Sequence, residues 1–305
     1  MIRQPSAIPL SLSLALVMVG VLAAGCVNIS ARGGRYVDRE EKRFSVDGKP
    51  DIKLRTVDGS IEIRSWDRPD VLVAVEKRAF SKQAAAAITM TSSQEANHIS
   101  VDVKMPAEQV FGWFAGGFGS AKVIVSLPAA SDVQAATGDG SIHLESVRGV
   151  ISLRSGDGSI HARDVSGSIA ARSGDGSISL EEVTGTVDAN TSDGSIAVAG
   201  VLSQVRARSG DGGIGVRAQP GSKADADWEI ASGDGGVRVE VAESFGAELD
   251  ARTGDGGIHF DGVTLSNVTG EFGRNRASGR LGAGGHALRV RTGDGTIVIR
   301  RISDQ

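Results

Sequence analysis

Between Thr137 and Gly213 the phrase Ser/Thr-Gly-Asp-Gly-Ser/Gly-Ile returns at a fixed step. Its aspartates are Asp139, Asp157, Asp175, Asp193 and Asp211, each 18 residues after the last. Looser copies surround Asp58, Asp234, Asp255 and Asp294. A fixed period near 20 residues is the mark of a solenoid, because one short repeat cannot bury its apolar face alone and stacked repeats can.

The repeats lie within one chain and can be aligned with one another. In the copy from Gly149 to Ser166, Ile151, Leu153, Ile160, Ala162 and Val165 fall in phase and are expected to point inward. Ser152, Arg154 and His161 are expected to point outward. One copy on, the inward set becomes Ile169, Ala171, Ile178, Leu180 and Val183. Each copy thus reads as two short alternating strands and two glycine turns. Stacked copies would sit about 4.8 Å apart, the spacing between paired strands. The fold class expected is all-β: a single-stranded parallel β-helix, or β-solenoid, with coils of about 18 residues.

The alignment also separates roles within the turn. The second glycine is invariant (Gly140, Gly158, Gly176, Gly194 and Gly212 in the regular copies), whereas the first varies, being Val57 in one copy and Ser192 in another. The expectation is that the second position needs positive φ. The hydroxyl residue ahead of the turn (Thr137, Ser155, Ser173, Thr191, Ser209) is in phase with the inward residues and can serve backbone groups at the corner. The aspartates would form a column of like charges, for which three roles compete. They cap their own turns and are neutralised by Arg154, Arg172, Arg208, Arg252 and Arg291, each three residues earlier; they bind Ca²⁺ as in a β-roll; or they form a recognition surface. The first is the expected role, because a β-roll nonapeptide places an aspartate on both edges of each coil.

Residues 1–25 read as a secretory signal: Arg3, an apolar run, then Leu22-Ala23-Ala24-Gly25-Cys26. That ending resembles a bacterial lipobox, which implies lipidation of Cys26 and anchoring to a membrane, with Val27 favouring the outer membrane of a diderm bacterium. Residues 26–42 are polar and read as a flexible tether. Residues 43–305 form the solenoid domain, with an irregular part at 81–134, regular repeats at 137–214 and looser ones at 215–303. In the irregular part, Ser81 to Ala87 suggests a short helix, and His98 to Val103 and Lys122 to Leu127 suggest strands. Phe111, Trp113, Phe114 and Phe118 lie in one loop, read as an end cap or as a partner contact. Gln219 to Trp228 and Asn267 to Ser278 are expected to be loops bulging from one edge, and Leu288 to Ile299 the last coil.

With a net charge of −4, the chain shows no sign of a nucleic-acid partner. Its one cysteine permits no disulfide within the chain. His143 and His161 share a column, with His259 in phase further along, but Ser179, Ala197 and Gly215 intervene, so surface histidines are expected rather than a metal site. No catalytic residues, metal ligands or cofactors are assigned. The rivals are a polysaccharide-acting β-helix enzyme and a calcium-stabilised β-roll.

The Gly-Asp-Gly-Ser-Ile turns, the opening Asp58-Gly59-Ser60-Ile61 with Trp66, Val123 to Pro128, and the closing Arg289 to Ile297 together resemble the bacterial putative-adhesin β-solenoid family, a domain of unknown function. The resemblance spans roughly residues 43–303. It implies a β-solenoid at the cell envelope, a non-enzymatic adhesin-like binding or scaffold module with a protein or glycan partner, and no catalytic residues.

Overall fold

The structure, a computed structural model, describes residues 36–105, 119–268 and 273–303. The regular coils follow the alignment. Strand β8 (Asp132–Thr137) leads through the Asp139 turn into β9 (Ile142–Glu145), and β10 (Arg148–Ser155) through the Asp157 turn into β11 (Ile160–Arg172). Strands β11, β12 (Ile178–Thr191) and β13 (Ile196–Ser209) continue through the second corner and contribute to both faces. The register is parallel and offset by one repeat, with Ile151 opposite Ile169 and Ile160 opposite Ile178. Ile151, Leu153, Ile160, Ala162 and Val165 are all buried, as are their counterparts one coil on. The inward residues of all the coils join in one continuous core. Each buried Val, Ile or Leu contributes about 1.5–3 kcal/mol relative to exposure.

At both ends, stack order departs from chain order. β2 (Asp51–Thr56) pairs with both β6 (His98–Lys104) and β8, and β3 (Ser60–Trp66) with both β7 (Ser120–Pro128) and β9. The Asp58 coil therefore lies between the later coil of β6 and β7 and the regular repeats. Beyond β13 come β14 (Ile214–Ala218), β15 (Trp228–Ser232) and β16 (Val237–Ala242). The coil stacked next is the last in sequence, β20 (Ala287–Thr292) with β21 (Ile297–Ile302). Only then follows the coil of β17 (Ala247–Thr253) and β18 (Ile258–Asp261). Each end is therefore closed by chain that has doubled back.

Antiparallel strands complete the ends. β4 (Asp70–Ala79) pairs with β7, and β1 (Tyr36–Ser45) with β4. β5 (Thr89–Glu95) pairs with β6, and β19 (Arg276–Leu281) with β17. The helix expected after Phe80 is α1 (Lys82–Ala87), whose first turn is capped by the Ser81 hydroxyl.

Three boundaries need correction. Residues 36–42, read as tether, are part of β1, where Lys77 of β4 reaches Glu40 at 2.6 Å. Residues 276–278, read as loop, open β19. Trp228, read as the end of a bulging loop, is fully buried against Phe245, and its indole N–H donates to the Ser203 carbonyl at 3.2 Å. Residues 1–35, including Cys26, and residues 106–118, including the aromatic loop, lie outside the described residues.

The reason for the invariant glycine also changes. None of the second turn glycines has positive φ. A Cβ there would instead lie 2.1–2.3 Å from the carbonyl oxygen of the glycine one coil away at Gly140, Gly158, Gly176, Gly194 and Gly212. Space, not torsion, selects glycine. Positive φ belongs to the other corner, at Gly167 (φ 116°) and Gly185 (φ 129°), after left-handed Asp164 and Glu182. Gly194→Ala is accordingly expected to cost about 1–3 kcal/mol, the usual range for forced overpacking. Gly215→Ala, whose Cβ would meet nothing within 4 Å, should stay within about 0.5 kcal/mol of wild type in urea unfolding.

Candidate functional site

The turns form the first candidate. In stack order their aspartates are Asp58, Asp139, Asp157, Asp175, Asp193, Asp211, Asp234, Asp294 and Asp255, all exposed. Among the described residues, no carboxylate of this column accepts a hydrogen bond or joins an ion pair. The hydroxyl column does that work. Ser173 Oγ donates to the Gly158 carbonyl at 3.0 Å and accepts the Gly176 N–H at 3.1 Å, and Ser155 does the same with Gly140 and Gly158. The N–H that the aspartate was expected to hold is thus already taken. Nor do the arginines neutralise the column. Arg172 pairs with Asp188, Arg208 with Glu229, and Arg252 and Arg291 with Asp250. Among the described residues, no group of three or more His, Cys, Asp or Glu side chains is placed to hold a metal ion.

The second candidate is a groove of about 810 Å³ on the face built from β3, β7, β9, β11 and β12, with Arg78 of β4 at its margin. Alternation along the strands sends polar residues outward here, and parallel register lines them up. One column runs Glu62, His143, His161, Ser179. The His143 and His161 rings stack with centroids 5.0 Å apart and 8° between planes. His259 lies in the same column beyond Arg238 and Val298, away from the pair.

The neighbouring column alternates in charge, a pattern missed when the repeats were aligned for their apolar positions. It runs Arg64, Glu145, Arg163, Glu181 and, past Ala199, Arg217, Glu240, Arg300, Asp261. Arg217 reaches Glu240 at 2.5 Å, Arg300 reaches Asp261 at 2.7 Å, and Arg163 turns to Glu182 at 2.7 Å. Exposed pairs of this kind are individually weak, whereas Glu240, which Arg217 holds, is buried. The signal was available: listing the outward residues coil by coil would have shown it.

At the head of the groove, Lys122 binds Glu62 at 2.5 Å, with Arg64 on the same carboxylate. The Lys122 hydrogen bond holds the Glu62 carboxyl below its usual range, against the opposing effect of burial. Burial, then the charge of His161, hold the His143 imidazole below its usual range, although Glu62 pulls the other way.

The sign of the pH effect follows. An unfolded histidine takes its proton near pH 6.5, and folded His143 takes its proton only at lower pH. Between those values the unfolded chain holds more protons, so stability falls as pH drops below about 6.5 and levels off below the folded value. In melting curves between pH 7.5 and 5, wild type should lose stability on this branch. His143→Asn should lose less, and His161→Ala should move the His143 NMR titration back toward the ordinary value.

The chain matches the model of the Toastrack DUF4097 family over residues 49–300. No curated protein matches it. Similar solved structures include a putative adhesin from Bacteroides fragilis NCTC 9343, at 13% identity and TM-score 0.44, covering 87% of this chain and 97% of that one. Another, from Parabacteroides distasonis ATCC 8503, is described as a putative lipid binding protein; it has 12% identity and TM-score 0.44, covering 87% and 96%. A putative adhesin from the same strain has 14% identity and TM-score 0.40, covering 86% and 96%.

Proposed function

The chain belongs to the Toastrack DUF4097 family, and on that premise we propose that it is a non-enzymatic, adhesin-like binding or scaffold module. It is held at the cell envelope by a lipid on Cys26, at the outer membrane if the source is diderm. The observation that carries the binding role is the groove. Its volume of about 810 Å³ suits a ligand, and its floor is strand backbone fixed by pairing on both sides. Its charged groups include Glu62, kept ionised by Lys122 and Arg64, a fixed charge that supports recognition of a ligand. Among the described residues, no helix is long and apolar enough to cross a membrane.

Two measurements test this reading. The wild-type chain expressed in a bacterial host should incorporate a labelled fatty acid and sediment with membranes, and Cys26→Ser should do neither. On an array of envelope and extracellular glycans and proteins, wild type should bind a component that His161→Ala/Arg163→Ala binds at least tenfold more weakly at an unchanged melting temperature. Turnover of any glycan, or binding to nothing on the array, would refute the binding role.

A further inference from the structure

The face opposite the groove carries a column of arginines. Parallel register places Arg55, Ala136, Arg154 and Arg172 on successive coils, followed past Asn190 by Arg208 and past Ala231 by Arg291 and Arg252. From Arg172 onward each arginine named in this column has a carboxylate: Asp188, Glu229 or Asp250. Before Arg172 the pairing stops.

Ala136 interrupts the column between Arg55 and Arg154, leaving a notch of about 230 Å³ floored by its methyl group. Lys53, Gln134 and Ser152 line its side, and no acidic residue borders it. Among the described residues, Lys53, Arg55 and Arg154 form no ion pair and no side-chain hydrogen bond. The nearby acids are engaged elsewhere or face away. Asp102, opposite Arg55, pairs with Lys104 at 3.8 Å. Asp132 holds Lys49 at 2.6 Å and accepts the Val150 N–H at 2.6 Å. Asp58, Asp139 and Asp157 sit at the turn beyond the strand ends and pair with none of the three cations.

A chain of net charge −4 that pairs most of its outward arginines leaves three cations together around one small hollow. Arg55 and Arg154 stand two coils apart, about 10 Å at the strand spacing, so their long side chains can converge over Ala136. Two guanidinium forks and an ammonium around a hollow suit an oxyanion, with the arginines binding through paired N–H groups and the lysine as a point charge. We propose that this notch binds a sulfate or carboxylate group of an acidic polysaccharide. The inference rests on the binding-module reading above and assigns that module a second contact on its other face.

The test uses the full chain in detergent, titrated with a heparin-derived hexasaccharide, an oligogalacturonate, a neutral dextran oligosaccharide, inorganic sulfate, and vesicles containing anionic phospholipid. Wild type should bind at least one acidic oligosaccharide, more weakly as salt rises, and should not bind dextran. Arg55→Gln/Arg154→Gln and Ala136→Glu should each weaken that binding at least tenfold at an unchanged melting temperature. Arg291→Gln, which removes a paired arginine, and His161→Ala, in the groove, should leave it within about twofold.

Notch variants that bind like wild type would overturn the proposal, as would equal binding of dextran. Inorganic sulfate binding as tightly as the oligosaccharide would make the site one for a free anion, and vesicles binding in preference to both would make it one for lipid; either would also overturn it. If only the groove variant loses binding, the notch is refuted and the binding role stands. If wild type binds none of these probes yet binds a component of the array, the notch alone falls.

Discussion

A backbone hydrogen bond passes from each glycine turn to the next, and the rest of the stack is arranged to permit it. Gly138 N–H donates to the Val57 carbonyl at 2.7 Å, Gly156 to Gly138 at 2.6 Å, and Gly174 to Gly156 at 2.6 Å. The series continues through Ser192, Gly210, Gly233, Gly293 and Gly254. Turns that approach this closely leave no room for a Cβ at the second glycine, so that position never varies. From Thr137 onward the same approach brings the Ser or Thr hydroxyl within reach of a carbonyl on the neighbouring coil and, except at Thr191, an N–H on its own. Backbone groups that would be left bare at a sharp corner are thereby paired.

With the corners fixed, the two faces are free to vary. Inward positions are occupied almost entirely by Ile, Leu, Val and Ala, and outward positions carry charges whose partners lie one coil away. On one face this yields an alternating ladder that passes through the groove beside the His143–His161 pair. On the other it yields an arginine column that is neutralised from Arg172 onward and bare around Ala136. The aspartates, the most regular feature of the chain, do neither: they are exposed at the corner, keeping the edge of the stack charged and soluble without holding it together. A charged edge of this kind also discourages pairing with other chains.

The period, the parallel register and the inward set were legible in the sequence because stacking makes the same demand at the same place in every coil. The order of the coils was not. The turns at Asp58, Asp255 and Asp294 carry the same phrase as the regular ones, so local sequence cannot tell which neighbour each will have. That is decided by whether the chain can double back, as it has where the last coil, β20 and β21, enters between the coil of β15 and β16 and that of β17 and β18. The cause of the invariant glycine was misread for a related reason, since a sequence shows that glycine is required but not whether torsion or space requires it. Trp228 and the start of β19 were misplaced because loss of the period was taken as loss of structure. The groove was only half visible. Its histidine pair lay in the alignment, but Lys122 and Arg78 come from strands outside the repeat, Lys122 on β7 stacked in parallel on β3 and Arg78 on β4 paired antiparallel with β7.

Hydrogen exchange at the turn amides tests the central claim most directly. Gly156, Gly174, Gly210 and Gly233 lie at an exposed corner, where an ordinary turn would exchange rapidly. Because each amide here is bonded to the neighbouring coil, the account predicts protection comparable to that of Ile160 and Ile178 in the adjoining strands. Rapid exchange at those glycines with slow exchange in the strands would contradict it, showing that the strands hold the stack and the turns merely follow.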